Sequence, residues 1–352
     1  MKVVQIVPGL PPAVCGIGDH ALRIGRLFRE EFDVSYCALR PEDAPKDSCI
    51  HILQERSASA LVDNLKESCG PDPAAILLHF SGYGYARWGL CFWLLRGLRE
   101  FLRLRPDCRL LTMFHELWAE GPPWTSTYWI QPAQRYIAKQ LFKLSHCVRT
   151  NRAESKRLLA QHRYETKHCT VLPVFSNLGE LREYPAWETR NRDMILFQPP
   201  SFEDPKSSKF WDTWKAAVDR LEIRSTIVAG SPKRIPRDDR IKHVGFVSET
   251  MASNLLSTCR YSLLAYYPGY FAKSSILAAM AAHGVACIAV EDGRSEADGI
   301  TAGEHYQIAS SNVDESSLRE SSNVLWQWYQ NHSILRTSES YSADLHRLFI
   351  RR

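Results

Sequence analysis

Three short stretches carry the residue types that can grip an oxygen-rich, anionic ligand. Lys273-Ser274-Ser275 sets an ammonium and two hydroxyls where a helical pattern begins, and the free N–H groups of a helix start add to that positive end. Such a corner can meet the charge of a departing nucleoside diphosphate. Gly16-Ile17-Gly18-Asp19 opens another helical pattern after the apolar run Lys2–Val7, and its glycines let backbone N–H groups approach a phosphate. His115-Glu116 follows the run Arg109–Phe114 and precedes Trp118 and Trp124. A histidine there can orient or deprotonate a hydroxyl, or hydrogen-bond a sugar. Each stretch also has a plainer structural reading: an N-cap serine beside a solvated lysine, an ordinary helix start, and a histidine satisfied by nearby backbone. Lys206, Lys209, Lys233 and Arg234 occupy comparable loops.

Two further readings bear on the chemistry. Gly16-x-Gly18-x-x-Ala21 matches the dinucleotide fingerprint. However, eight residues, Pro8 to Cys15, part it from the first strand, and Asp33 stands at the start of the second strand instead of ending it. An NAD-dependent oxidoreductase is therefore kept as an alternative. The chain contains no Asp-x-Asp, so no metal is expected to bridge a diphosphate, and no cofactor is expected beyond a nucleotide-sugar co-substrate.

The elements that must position these groups follow a βαβα rhythm. Strands are predicted at Lys2–Val7, Asp33–Ala38, Ala75–Phe80, Arg109–Phe114, His146–Thr150 and Thr170–Phe175, with helices at Asp19–Glu30, Ala86–Leu104, Ile130–Leu144 and Ala153–His162. Tyr184–Arg192 is polar, carries a proline and reads as a linker. A second series has strands at Met194–Gln198, Ser225–Ala229, Lys242–Val244, Tyr261–Tyr267 and Val285–Val290. Its helices are Phe210–Leu221, Ser248–Thr258, Ser275–His283 and Glu315–Asn331. This rhythm implies an α/β fold of two Rossmann-like, doubly wound parallel-sheet domains facing a central cleft. The expected domains are 1–183, on the acceptor side, and 184–352, on the nucleotide-sugar donor side. The last helix, about 332–352, is expected to pack back on the first domain. In such sheets ligands bind beyond the carboxyl ends of the strands. Tyr83, Tyr85, Trp118, Trp124 and Asn177 fall in those places and are acceptor-side candidates.

Composition narrows the class. At 352 residues the chain exceeds the ~250–300 at which single cores stop growing. A net charge of +5, with no long basic block and no zinc-finger spacing, argues against nucleic acid as partner. None of the ten cysteines forms a C-x-x-C pair, and a reducing cytoplasm suits them. Ser275–Val290 is too short to span a bilayer. Arg96, Arg99 and Arg103 share one face of the helix at 86–104, opposite Leu94, Leu98 and Phe101. That basic amphipathic face suits peripheral contact with an anionic membrane surface, or simply a solvated helix side.

The residues together resemble family-4-type glycosyltransferases of the GT-B architecture, including bacterial and cyanobacterial members. Pro11–Ala21 resembles the group's glycine-rich loop and following helix; Thr112–Glu116 resembles its strand ending in histidine and an acidic residue. Pro173–Asn177, Gly82–Ala86 and Ala278–Ala289 also resemble family segments. The resemblance implies transfer of a sugar, with retention, from a nucleotide-sugar donor to an acceptor hydroxyl of a glycan, lipid or small molecule. His115, Glu116 and Lys273 would be catalytic. Gly16, Gly18, Asp19, Lys206, Lys209, Ser274 and Ser275 would bind donor and phosphate. The chain departs from the family where two glutamates normally flank the donor-site helix: the aligned positions hold Tyr270 and Ala278. That departure keeps a non-catalytic, nucleotide-sugar- or partner-binding relative as a second alternative.

Overall fold

A computed structural model describes residues 1–11, 13, 15–39, 49–160, 167–231, 234–291, 296–309 and 313–350. The chain forms two compact units, Met1–Leu172 with Thr337–Arg352, and Pro173–Arg336. Each is built on one all-parallel sheet.

In the first unit, apolar runs give strands β1 (Lys2–Val7), β2 (Asp33–Ala38), β3 (Ile50–Ile52), β4 (Ala74–Phe80), β5 (Arg109–Phe114), β6 (Cys147–Thr150) and β7 (Cys169–Val171). They lie in the order β3-β2-β1-β4-β5-β6-β7. The connecting helices are α1 (Gly16–Phe28), α2 (Ala58–Cys69), α3 (Gly82–Tyr85), α4 (Phe92–Leu104), α5 (Ser126–Leu144) and α6 (Ala153–Ala160). Every residue of β4 is buried, as expected of a parallel strand covered on both faces. Leu61 and Leu65 of α2 and Leu94, Leu98 and Phe101 of α4 share one hydrophobic core with it.

The second unit repeats the plan with β8 (Asn191–Phe197), β9 (Ser225–Ala229), β10 (Ile241–Gly245), β11 (Cys259–Leu264), β12 (Ala286–Ala289) and β13 (Gln307–Ile308), ordered β10-β9-β8-β11-β12-β13. Its helices are α7 (Ser208–Arg220), α8 (Glu249–Thr258), α9 (Ser275–Ala282) and α10 (Glu315–Gln330). Helix α11 (Ile334–Arg347) closes the chain, and its residues from Thr337 group with the first unit. Both sheets carry the doubly wound order, with the chain reversing direction beside the first strand.

Several expectations are corrected. The single helix expected over 86–104 is interrupted: Trp88 and Gly89 turn left-handed, at φ +62° and +69°, so the helix restarts at Phe92. The strand expected through Phe175 stops at Val171, two residues before Pro173, which has no ladder donor. The linker expected at Tyr184–Arg192 lies inside the second unit. Trp187 is buried there, and the hidden Arg190 guanidinium donates to the carbonyls of Gly284, Leu256 and Cys259. Helix α2 and the short strands β3 and β13 have weak patterns and were not anticipated.

Candidate functional site

In the second unit, the carboxyl ends of β8 and β11 frame a pocket of ≈ 380 Å³, within the ~300–1,000 Å³ range of small-molecule sites. Phe197, Pro199, Pro200 and Ile276 supply apolar walls; Gln198, Ser262, Lys273, Ser274 and Ser275 supply polar ones. The local sequence explains the shape. Gln198 takes φ +43°, and its amide accepts from Ser231 N at 2.9 Å and donates to Ser231 O at 3.2 Å. This turns the chain away from the sheet. Pro268 starts a 3₁₀ turn through Lys273, and Ser274 then caps α9, its Oγ accepting from Leu277 N at 3.2 Å. Lys273 Nζ lies 4.8 Å from the centre of the Tyr270 ring. Apolar walls beside an ammonium and a helix start can hold a flat base and an anionic group together.

The other donor-side lysines stand apart from this pocket's lining. Lys206 is exposed, its backbone N bonded to Asp204 Oδ1 at 3.0 Å. Lys209 pairs with Glu291 at 3.2 Å. Lys233 lies outside the described residues. Ala278, aligned with the family's second glutamate, is buried in the core under α9.

Gly16, Gly18 and Asp19 sit in the first turn of α1, not in a tight turn leaving β1, so the dinucleotide fingerprint is not built as strand, turn and helix. The helix is capped by Cys15, whose Sγ accepts from Gly18 N at 3.4 Å. A Cβ on Gly18 would lie 1.9 Å from Gly9 O; glycine is needed there for close packing of α1 on the preceding loop. Gly16 is exposed, with open space at its Cβ position.

His115 and Glu116 leave the end of β5 together. His115 N bonds Phe80 O at 2.9 Å, and the exposed Glu116 accepts from Ser81 Oγ at 3.0 Å. The imidazole of the half-buried His115 joins a polar chain inside the sheet. Its Nε2 lies 3.1 Å from His79 Nδ1, and His79 Nε2 lies 2.8 Å from Gln5 Oε1. His20 of α1 meets the His115 ring edge-on at 5.1 Å. Burial pushes His115 down to about 4. It also lowers His79, helped by His115, and His20, helped by His115, His79 and Arg149. All three rings are neutral near pH 7, so His115 acts there as a hydrogen-bonding group and only as a weak base.

Around this edge, Tyr83 is exposed and Trp124 is 83% exposed. Trp118 is half-buried against the first core, with Arg135 over its ring at 5.2 Å. Tyr85 is corrected: it is fully buried, with its hydroxyl 2.8 Å from His79 O and 3.0 Å from Ile6 O, and it offers no surface to an acceptor. Asn177 groups with the second unit. Gln5, His79 and His20 were missed as functional candidates. Gln5 and His79 each interrupt an otherwise apolar run, whereas His20 follows Asp19 in a mixed segment and carries no such signal. Among the described residues, ligand atoms of His20, His79 and His115, and of Cys147, His168 and Asp344, lie close enough to hold a metal.

No family model matches the sequence, and no curated protein matches it. Solved structures do match in fold. The GtfA/B complex superposes with a TM-score of 0.64 at 11% identity, covering 99% of each chain. The lipopolysaccharide outer core galactosyltransferase WaaB superposes at 0.61 and 8%, again covering 99% of each. A putative UDP-N-acetylglucosamine 2-epimerase from Listeria monocytogenes superposes at 0.61 and 11%, covering 99% of this chain and 96% of that one. At such identities the likeness shows the fold, which is GT-B.

Proposed function

We propose that this chain is a glycosyltransferase that takes a sugar from a nucleotide-sugar donor and passes it to an acceptor hydroxyl. The observation that carries the proposal is the second unit's pocket, where apolar walls meet Lys273, Ser274 and Ser275 at the start of α9. The base and ribose occupy the apolar side, and the diphosphate faces Lys273, whose charge stabilises the leaving group. The chain lacks the paired Asp-x-Asp carboxylates that would seat a bridging ion, so the reaction proceeds without metal, and activity persists in a chelator. Retention of stereochemistry follows the family resemblance. His115 and Glu116, with Tyr83 and Trp124, serve the sugar and acceptor. Arg96, Arg99 and Arg103 provide peripheral contact with a membrane on its cytoplasmic face.

The test is a thermal-shift screen of UDP-, GDP-, ADP- and dTDP-sugars on the full chain, repeated with Lys273→Ala. One nucleotide class should raise the melting temperature. The variant should bind it ~10–100-fold more weakly, the scale of one charge-assisted hydrogen bond. Binding by none, or equal binding by both proteins, defeats the assignment. A second reading, a sugar-nucleotide epimerase, is favoured by the fold match to the 2-epimerase; interconversion of the donor sugar with no acceptor present would establish it instead.

A further inference from the structure

The order Gln5–His79–His115 runs from β1 through β4 to the loop after β5, and its hydrogen bonds have a direction. A carboxamide oxygen only accepts. With Gln5 Oε1 facing His79 Nε2 at 2.8 Å, that nitrogen must carry the proton. His79 Nδ1 is then a lone pair, so the proton on the 3.1 Å line to His115 Nε2 belongs to His115. One residue remote from the carboxyl edge thus determines the tautomer at that edge. The opposite end of the Gln5 amide lies beside the Tyr36 hydroxyl, where both crowd the place a Cβ would take on Gly25, at 2.6 and 1.9 Å.

The ring geometry favours this proton-sharing chain over an ion. The centres of the His79 and His115 rings are 5.4 Å apart and their planes differ by 25°. The excess over the 3.1 Å nitrogen separation is about two imidazole radii, so the N···N line passes through both rings and the nitrogens face each other head-on. Lone pairs held by a tetrahedral metal would instead converge at an angle.

We infer that Gln5 and His79 are positioning residues that hold His115 as its Nε2–H tautomer, so that the nitrogen His115 keeps for a ligand, Nδ1, is a hydrogen-bond acceptor. Nδ1 has no bond within the described residues. It therefore takes a donor, such as a sugar hydroxyl, and repels the acceptor-only oxygens of a carboxylate or phosphate. This assignment of ligand chemistry rests on the sugar-transfer reading; the tautomer itself does not. A sugar that turns a hydroxyl to this nitrogen fits such a site, and one that turns a carboxylate to it does not.

The experiment is a long-range ¹H–¹⁵N correlation on the full chain labelled in histidine, with the His115 ring signals assigned by their loss in His115→Gln. The native protein should show a protonated Nε2 and a bare Nδ1 on both His79 and His115. Gln5→Leu, which removes the acceptor, should move the His115 tautomer ratio toward Nδ1–H by about fivefold, the scale of one neutral hydrogen bond. Gln5→Glu, nearly the same size and still accepting, should keep the native tautomer, and it guards against a folding defect in the leucine variant. A native His115 bearing its proton on Nδ1, an unchanged ratio in Gln5→Leu, or signals displaced by a metal that a chelator removes would each overturn the inference. Failure of nucleotide binding would fell the transferase reading and leave the tautomer standing.

Discussion

The guanidinium of Arg149 and the carboxylate of Asp344 form a buried ion pair that fastens α11 to β6. Arg149 also donates to Ser340 O and Oγ, each at 3.0 Å, and lies 3.9 Å over the Tyr341 ring. Asp344 accepts further from Thr170 Oγ1 at 2.9 Å. Removing one partner strands a charge in the interior, at a cost of about 3–5 kcal/mol. Asp344→Ala should therefore lower the first unfolding transition of the full chain in urea by that amount, read by circular dichroism. A change below about 1 kcal/mol, the usual worth of an exposed pair, would show that the pair is solvated.

Gly18 makes a sharper stability test. Because its Cβ would sit 1.9 Å from the Gly9 carbonyl oxygen, Gly18→Ala must push α1 off the loop at Gly9–Leu10, at roughly the 1–3 kcal/mol cost of overpacking. Gly16→Ala, with open space around it, should change stability little and serves as the control. If the two variants melt alike, the close approach has been misjudged. A drop in nucleotide binding by Gly16→Ala alone would instead point to a phosphate contact.

How far these features were legible depends on what each one needs. The strands β1, β2, β5 and β9 coincide with their expected limits, because each is a short apolar run closed by turn residues. That rhythm implies two doubly wound α/β domains, while the GT-B architecture is what the family resemblance implies. Lys273, Ser274 and Ser275 stand out in the sequence because a strand, a turn and a helix start follow one another there, and in the structure all three line one pocket. Tyr85 misled because a tyrosine after a strand reads the same whether its hydroxyl meets solvent or, as here, two buried carbonyls. Tyr184–Arg192 misled for the same reason: Arg190 is polar in the sequence, yet its guanidinium donates inside to three backbone oxygens. The Gln5–His79–His115 chain joins residues far apart along the sequence, and only the strand register makes them neighbours. Gln5 pairs across β1 and β4 with Leu77, which puts His79 within reach.

The same histidines set an acid limit. His115 titrates at about 4 instead of 6.5, and burial lowers His20 and His79 as well. Arg149 and the Tyr341 ring face His20. The carboxylates next to these rings in the chain are Asp19, before His20, and Glu116, after His115; Glu116 accepts from Ser81 Oγ. Since the folded values lie below the unfolded one, the unfolded chain takes up protons first. The stability from burying neutral rings is complete above about pH 6.5 and is lost as the pH falls from there toward 4. The melting temperature should stay flat from pH 7 to 8 and decline between 6.5 and 4.5. In His79→Gln the decline should be shallower. An identical slope in the variant would mean that other groups govern the acid response.

The exposed arginines of α4 allow a quantitative membrane test. Leu94, Leu98 and Phe101 are buried on one side of the helix, while Arg96, Arg99 and Arg103 are exposed on the other. No helix among the described residues is long and apolar enough to cross a bilayer. Because the apolar side of α4 is already buried in the first core, membrane contact through the exposed face would be electrostatic. Each basic residue near an anionic leaflet contributes ~1 kcal/mol, and three reversed to glutamate should weaken binding to phosphatidylserine-containing vesicles by more than ~100-fold. The effect should shrink with added salt, because exposed charges farther apart than the ~10 Å screening length at 0.1 M cease to interact. Arg99 also donates to Gln140 of α5 at 3.2 Å, an exposed bond whose loss should leave the melting temperature within about a degree. Sedimentation with neutral phosphatidylcholine vesicles gives the baseline. If the native protein sediments no better with anionic vesicles than with neutral ones, α4 is a core helix with a solvated side, and the acceptor should be sought among soluble glycans and small molecules.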